Sequence, residues 1–159
     1  MKILAFAASN NQQSINRILA NYTASLRKDA KVELLDIHDY ELPIFSDDRE
    51  KELGQPQLAK KFYNKITAAD ALVISFAEHN GNYTAAYKNL FDWTSRIDQK
   101  VFQNKPTILL ATSPGKNGAA SVLALATSMA PYFAADVKAS ISVPNFYDNY
   151  DVSSDQITN

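Results

Sequence analysis

Ala71-Leu72-Val73-Ile74-Ser75-Phe76 runs directly into Ala77-Glu78-His79-Asn80-Gly81-Asn82-Tyr83, and Ala86-Tyr87-Lys88-Asn89-Leu90-Phe91-Asp92-Trp93 follows. The first six residues are an almost unbroken apolar run, which suits a strand covered on both faces. The next seven form a polar loop that holds one of only four glycines in the chain. The last stretch opens a helix, with Tyr87, Leu90, Phe91 and Thr94 at helical spacing. In an open α/β sheet, ligands bind in the crevice outside the carboxyl ends of the strands. A loop of this composition at such an end offers backbone N–H groups and side-chain amides to a planar, hydrogen-bonding ligand.

The same pattern repeats outward from this unit. Strand-like apolar runs occupy residues 3–7, 32–37, 107–111 and 137–143. Ile15, Ile18, Leu19, Tyr22 and Leu26 give a helix over about 14–28. Leu58, Phe62 and Ile66 give another after Pro56, a residue suited to a first helical turn. Val122, Leu123, Ala126, Met129 and Phe133 give a helix that opens near Gly118 and is ended or kinked late by Pro131. The order β-α-β-α-β-α-β-α-β predicts an α/β fold, a parallel sheet with helices on both faces. Tyr40 to Gly54, polar and charged around Pro43, is expected to be a long surface loop. Ser153-Ser154-Asp155-Gln156-Ile157 reads as a helix N-cap and first turn. A single domain over 1–159 is expected, with its final helix lying beyond Asn159.

Composition removes several function classes. With 159 residues the chain can bury one core without metal or disulfide staples. It has no cysteine, which excludes disulfides, thiolate metal sites and cysteine nucleophiles and is compatible with a cytoplasmic location. The net charge of −1 and scattered basic residues give no footprint for nucleic acid. No segment approaches the ~20 apolar residues that span a bilayer. The short apolar run at Ile3 turns at once into Ser9-Asn10-Asn11-Gln12-Gln13, a strand end rather than a leader.

Three polar loops follow strands one, three and four. Ser9-Asn10-Asn11-Gln12-Gln13-Ser14-Ile15-Asn16 leads into the first helix, where free N–H groups and the macrodipole favour an anion. Ser9, Ser14 and Asn16 suit a phosphate held by hydrogen bonds rather than by cations; Ser14 as a plain helix cap is the bland alternative. Thr112-Ser113-Pro114-Gly115-Lys116-Asn117-Gly118 places two glycines beside a helix start, as an ordinary turn or a close approach to a ligand. The dinucleotide and Walker glycine patterns are absent. No G-x-S-x-G context surrounds Ser113. His79 lacks a second His or Cys nearby, so no metal is expected. Asp36, His38, Asp39 and Glu41 read as a solvated strand end, and Trp93 and Tyr87 as core or interface aromatics. In the flavodoxin-like three-layer order 2-1-3-4-5, strands one and three adjoin the switch point at which FMN binds. Phosphate at the first loop and a flat ring across the other two make a coherent site.

At these residues the chain resembles the NADPH-dependent FMN reductase family, which includes quinone, azo and chromate reductases. The family's first loop has the form G-S-x-R-x-x-S-x-N. Ser9, Ser14 and Asn16 match; Ala8 replaces the glycine and Asn11 the arginine. Its second pattern is P-E-Y-N-G-x-x-P-x-x-L-K-N-x-x-D-W. Glu78, Asn80, Gly81, Lys88, Asn89, Asp92 and Trp93 match, while Ala77, His79, Thr84 and Tyr87 depart. Ser113, Gly115 and Gly118 fit the third loop, with Ala119 where a second glycine is common.

The resemblance implies FMN as cofactor and NADPH or NADH as hydride donor. It implies a small-molecule acceptor and a homodimer or homotetramer. The implied cofactor-binding residues are Ser9, Asn11, Ser14, Asn16, Glu78, His79, Asn80, Gly81, Ser113, Gly115 and Gly118, with no side chain as catalytic acid or base. Losing the arginine removes a charge-assisted bond to phosphate, so flavin as a substrate is the competing expectation. Two rivals from other classes are a flavodoxin-like electron carrier and a flavin-free regulatory module on the same fold.

Overall fold

A computed structural model describes residues 1–159. The strands are β1 (Lys2–Ala8), β2 (Lys31–Leu35), β3 (Ala71–Phe76), β4 (Pro106–Thr112) and β5 (Asp136–Val143). They form one sheet in the order β2-β1-β3-β4-β5, and every pair is parallel. This is the flavodoxin-like order expected from the sequence. The helices are α1 (Ile15–Ser25), α2 (Asp47–Leu53), α3 (Gln57–Ala68), α4 (Ala85–Ser95) and α5 (Ala120–Met129). After α5 the chain makes a 3₁₀ turn over Ala130–Phe133 with Pro131 near its start, so the proline falls where the α-helix stops. No helix is long and apolar enough to cross a membrane.

Side chains alternate across the sheet, as a pleated strand requires. Leu4, Phe6, Leu72, Ile74 and Leu109 face the larger core, where they meet Phe62 and Ile66 of α3, Leu90 of α4, and Val122 and Ala126 of α5. Ile3, Ala5, Val73 and Leu110 face the other side and meet Leu19, Ala20 and Ala24 of α1. Both faces of β1 and β3 are thereby dry, which explains why these strands read as unbroken apolar runs. Ile141 on the edge strand β5 is 51% exposed.

Two expectations are corrected. Residues 40–54 are not one loop, because α2 lies inside them. Ser46 Oγ accepts from the Arg49 N–H at 3.0 Å. Asp47, Asp48 and Glu50 complement the helix dipole in the first turn, and Gly54 closes the helix at φ +69°. The helix buries no residue, so it left no hydrophobic period to read. The cap and acidic first turn were its only signal.

The second correction concerns Ser153–Ile157, which is not a helix start. Two short strands, β6 (Tyr150–Asp151) and β7 (Gln156–Ile157), pair antiparallel there. Asp151 accepts from the Ser153 N–H at 2.9 Å and from the Ser153 and Ser154 hydroxyls at 2.7 Å. A carboxylate two residues earlier thus takes the capping groups and bends the chain into a turn.

At the amino ends of the strands, Glu33 on β2 accepts from Lys65 of α3 and lies 2.9 Å from the Lys2 ammonium. The Lys65 hydrogen bond, then that of Lys2, holds the Glu33 carboxyl below the usual carboxylate range. This stabilisation is complete above the ordinary carboxylate pKa and is lost as pH falls through the depressed native value. Glu33→Gln is expected to flatten the decline in melting temperature between about pH 5 and pH 2. An acid limb identical to that of the parent protein would show that this carboxyl does not couple to folding.

Candidate active site

The loops after β1, β3 and β4 lie on one edge of the sheet, because those strands are parallel neighbours. Side-chain bonds lock them together. The Asn16 amide at the start of α1 accepts from Ser75 Oγ of β3 at 2.7 Å and from the Thr112 N–H of β4 at 3.1 Å. It donates back to the Thr112 carbonyl at 3.2 Å. Thr84 Oγ1 donates to the Ala8 carbonyl at 3.0 Å and accepts from the Tyr87 N–H at 3.2 Å, capping α4 while tying it to β1. Thr84 therefore supplies a true cap where the resembling pattern carries proline.

The loop from Ser9 to Ser14 is held by its own side chains and leaves donors open at the start of α1. Ser9 Oγ accepts from the Asn11 N–H at 3.1 Å, and Asn11 Oδ1 from the Gln13 N–H at 3.0 Å. The Ser14 carbonyl takes the Arg17 and Ile18 N–H groups. Ser14 is the N-cap of α1, yet its side chain makes no capping bond, so its hydroxyl is uncommitted. The N–H groups of Gln12, Ile15 and Asn16 take no bond within the protein. An uncommitted hydroxyl and open N–H donors at a helix start fit a phosphate.

One further residue belongs here that the sequence did not single out. Arg17 lines the same cleft as Gln12, Gln13 and Ser14. Its Nε is buried without a hydrogen-bond partner. Arg17 thus brings a cation to the cleft that Ser14 lines, three residues further along the chain. Its spacing from Ser14 in the sequence was the available signal.

The loop after β3 is a miniature hairpin. His79 and Asn82 exchange backbone bonds of 3.0 and 3.1 Å. Asn80 and Gly81 at its tip have φ values of +54° and +75°. These are the left-handed values that a tight two-residue turn demands, and the Asn-Gly pair is its usual sequence. Asn80 and Gly81 therefore shape the loop, and the exposed His79 and Asn80 side chains stand at its outer end. Glu78 turns inward, and its Oε1 accepts from the Val122 N–H of α5 at 2.7 Å. No three His, Asp or Glu side chains converge as metal ligands.

The loop after β4 differs from the open glycine cradle expected at its end. Ser113 Oγ donates to the Gly115 carbonyl at 3.3 Å. Gly118 has φ +57°, and a Cβ there would lie 2.4 Å from Ser142 Oγ and 2.9 Å from the Pro144 nitrogen. Gly118 thus makes room for the end of β5, not for a ligand. Gly115 is the open one, since a Cβ there would meet only Ser113 Oγ, at 4.0 Å. Ala119 adopts φ +57°, the left-handed region in which glycine is easier. Of the expected cofactor contacts, Ser9, Asn11, Ser14, His79, Asn80, Gly81, Ser113 and Gly115 lie on the three loops at the carboxyl edge of the sheet. The Asn16 and Glu78 side chains bond the protein to itself, and Gly118 makes room for the end of β5.

The motif residues on α4 have a structural task as well. Trp93 Nε1 donates to the Pro43 carbonyl at 2.7 Å, and Asn89 Nδ2 donates to the Leu42 carbonyl at 3.0 Å. Together they fix the connector that precedes α2.

Residues 1–148 match the family described as NADPH-dependent FMN reductase. A 2-hydroxy-1,4-benzoquinone reductase from a Burkholderia species is 34% identical over 122 residues, which are 76% of this chain and 64% of that protein. An NAD(P)H-dependent FMN reductase of Pseudomonas aeruginosa is 31% identical over 121 residues, again 76% of this chain and 64% of that protein. The chain thus spans just under two thirds of the length of these relatives. In structure it is similar to the flavoenzyme NAD(P)H:(acceptor) oxidoreductase FerB from Paracoccus denitrificans. The TM-score is 0.80 at 23% identity, covering 99% of this chain and 86% of that one.

Proposed function

Because the chain belongs to the NADPH-dependent FMN reductase family, we propose that it binds FMN at the β1, β3 and β4 loops and reduces a small acceptor with NADPH or NADH. The acceptor class is a quinone, an azo compound or free flavin. The observation that carries this reading is the set of open donors at the start of α1: the Gln12, Ile15 and Asn16 N–H groups and the Ser14 hydroxyl. They sit on the same edge as two further polar loops, as a ligand with a phosphate and a flat ring requires.

Bound FMN would supply a ring able to accept hydride from NAD(P)H and return it to the acceptor. The protein's share is binding and orientation. The N-terminus of α1 and the Arg17 guanidinium neutralise the phosphate. The Asn80-Gly81 turn and the backbone around Ser113 and Gly115 border the ring. Oriented backbone N–H groups at that border favour negative charge developing on the ring edge. No side chain need take or give a proton. A homodimer or homotetramer is the proposed assembly.

The test is the visible spectrum of the purified protein before and after adding FMN, then NADPH under nitrogen. Binding followed by bleaching supports the reading. A protein that takes up no FMN refutes it.

Arg17→Ala is expected to raise the FMN dissociation constant about tenfold or more, the loss of one charge-assisted bond. Ser14→Ala is expected to raise it by a smaller factor, and Asp39→Ala to leave it unchanged. Flavin fluorescence titration measures all three. An Arg17→Ala variant with parental affinity would remove the guanidinium from the phosphate site.

A further inference from the structure

The cleft beside the start of α1 is larger than one phosphate needs. Its volume is about 490 Å³, within the range of small-molecule and cofactor sites. Ser14, Arg17, Ile18, Asn21, Tyr22 and Ser25 line it. They recur at intervals of three and four, so they form one face of α1, about 16 Å long from Ser14 to Ser25. Leu34 of β2, with Asp155 and Ile157 at the β6–β7 turn, completes the wall.

The two ends of this face differ in chemistry. At the amino end Ser14 is 6% exposed, with a hydroxyl that makes no capping bond. Beside it in the lining the Arg17 Nε is buried without a partner. A buried donor left unbonded marks a missing acceptor, and for a guanidinium that acceptor is an anion. Further along, Ile18, Leu34 and Ile157 supply apolar surface, and Tyr22 is exposed enough to offer its ring. Asp155 is the only acid in the lining. Its Oδ1 accepts from the Tyr150 hydroxyl, which leaves Oδ2 for a ligand. An anion site followed by a carboxylate and an aromatic wall is the pattern that a nucleotide requires.

We propose that this cleft takes the adenosine monophosphate half of FAD, so that FAD binds more tightly than FMN at the same flavin site. The inference rests on the flavin reading above, because the two phosphates of FAD would meet at Ser14 and Arg17. The planar fork of a guanidinium can serve both phosphates of a pyrophosphate. Adenine stacks on the Tyr22 ring, as bases do on aromatic side chains. The Asp155 carboxylate accepts from a ribose hydroxyl, the task an acid performs in dinucleotide sites. The same carboxylate repels a 2′-phosphate, so the adenosine end of NADPH is the poorer occupant.

The test is calorimetric titration of flavin-free protein with FMN and with FAD. FAD is expected to bind about tenfold more tightly or better. Tyr22→Ala is expected to weaken FAD about five- to a hundredfold, the loss of one base–aromatic stack, and to leave FMN unchanged. Tyr22→Phe keeps the ring and should keep the parental affinity for both. Tyr22 lies on the helix surface, 36% exposed, so these variants should fold.

FMN binding with no preference for FAD would overturn this proposal and leave the FMN reading intact. Failure to bind either flavin would remove both. A preference for FAD that Tyr22→Ala does not reduce would overturn the placement of the adenosine. So would a Tyr22→Ala variant that raises the KM for NADH with FMN bound and leaves FAD affinity alone, because the same adenosine chemistry would then come from the hydride donor.

Discussion

Gly118→Ala is expected to lower the melting temperature by roughly 10 °C, while Gly115→Ala in the same loop leaves it almost unchanged. Two costs add at Gly118. Its φ of +57° is left-handed backbone, which costs an L side chain about 1–2 kcal/mol. The new Cβ would also lie 2.9 Å from the Pro144 nitrogen and 3.0 Å from its Cα, and backbone cannot step aside as a flexible side chain can. Overpacking of this kind costs about 1–3 kcal/mol. Gly115 meets neither penalty.

Gly81 offers an intermediate control, with φ +75° but nothing within 4 Å of the added atom. The expected order of destabilisation is therefore Gly118 above Gly81 above Gly115, measured by thermal or urea unfolding. Equal losses at Gly118 and Gly115 would mean that the end of β5 is not packed against this loop. The effect should reach the site as well, because the Ser113 and Gly115 carbonyls accept from the Phe146 and Asn145 N–H groups. Displacing β5 moves the loop that borders the proposed ring.

Asn16→Ala is expected to be nearly as damaging, for a different reason. One amide there serves Ser75 Oγ, the Thr112 N–H and the Thr112 carbonyl, all in a dry setting in which Asn16 is 3% exposed. Truncation strands a backbone donor, a backbone acceptor and a hydroxyl. A buried unsatisfied group costs about 1–3 kcal/mol, so a total loss of roughly 2–4 kcal/mol is expected after relaxation.

The functional consequence separates two roles for Asn16. As the strut that holds α1 against β3 and β4, its loss should weaken FMN binding together with stability. Stabilising osmolyte should then restore both. As a direct phosphate ligand, its loss would weaken binding without lowering the melting temperature. Urea unfolding and FMN titration on the same preparation distinguish these outcomes.

Steady-state kinetics bear on the remaining question of how flavin is used. Parallel initial-rate lines for NADPH and menadione, without added FMN, fit a resident cofactor serving two half-reactions at one site. Intersecting lines that require free FMN fit flavin as a substrate.

The sheet was legible in the sequence because its cause is local. A strand dry on both faces must be apolar throughout, so residues 71–76 and 107–111 announced themselves, and α1 and α3 showed the period of a half-buried helix. Right-handed crossovers then left few ways to order the strands. The three ligand loops followed, since they are what joins the carboxyl ends of β1, β3 and β4 to the next helix. Elements that bury nothing left no such trace. The helix α2 rests on a serine cap, and the β6–β7 turn rests on the Asp151 carboxylate; in each a single polar side chain outweighs any hydrophobic pattern.

Within the site, the polar residues could be named from their spacing, but their directions could not. Whether an amide faces a ligand or a neighbouring strand depends on partners distant in the chain: Asn16 found Ser75 and Thr112, Glu78 found Val122, and Gly118 found Pro144. The aromatic cavity between α4 and α5 is of the same kind. Its rings are spread from Phe76 to Phe133 in the sequence, and only the packing of two helices on β4 brings them around one empty volume.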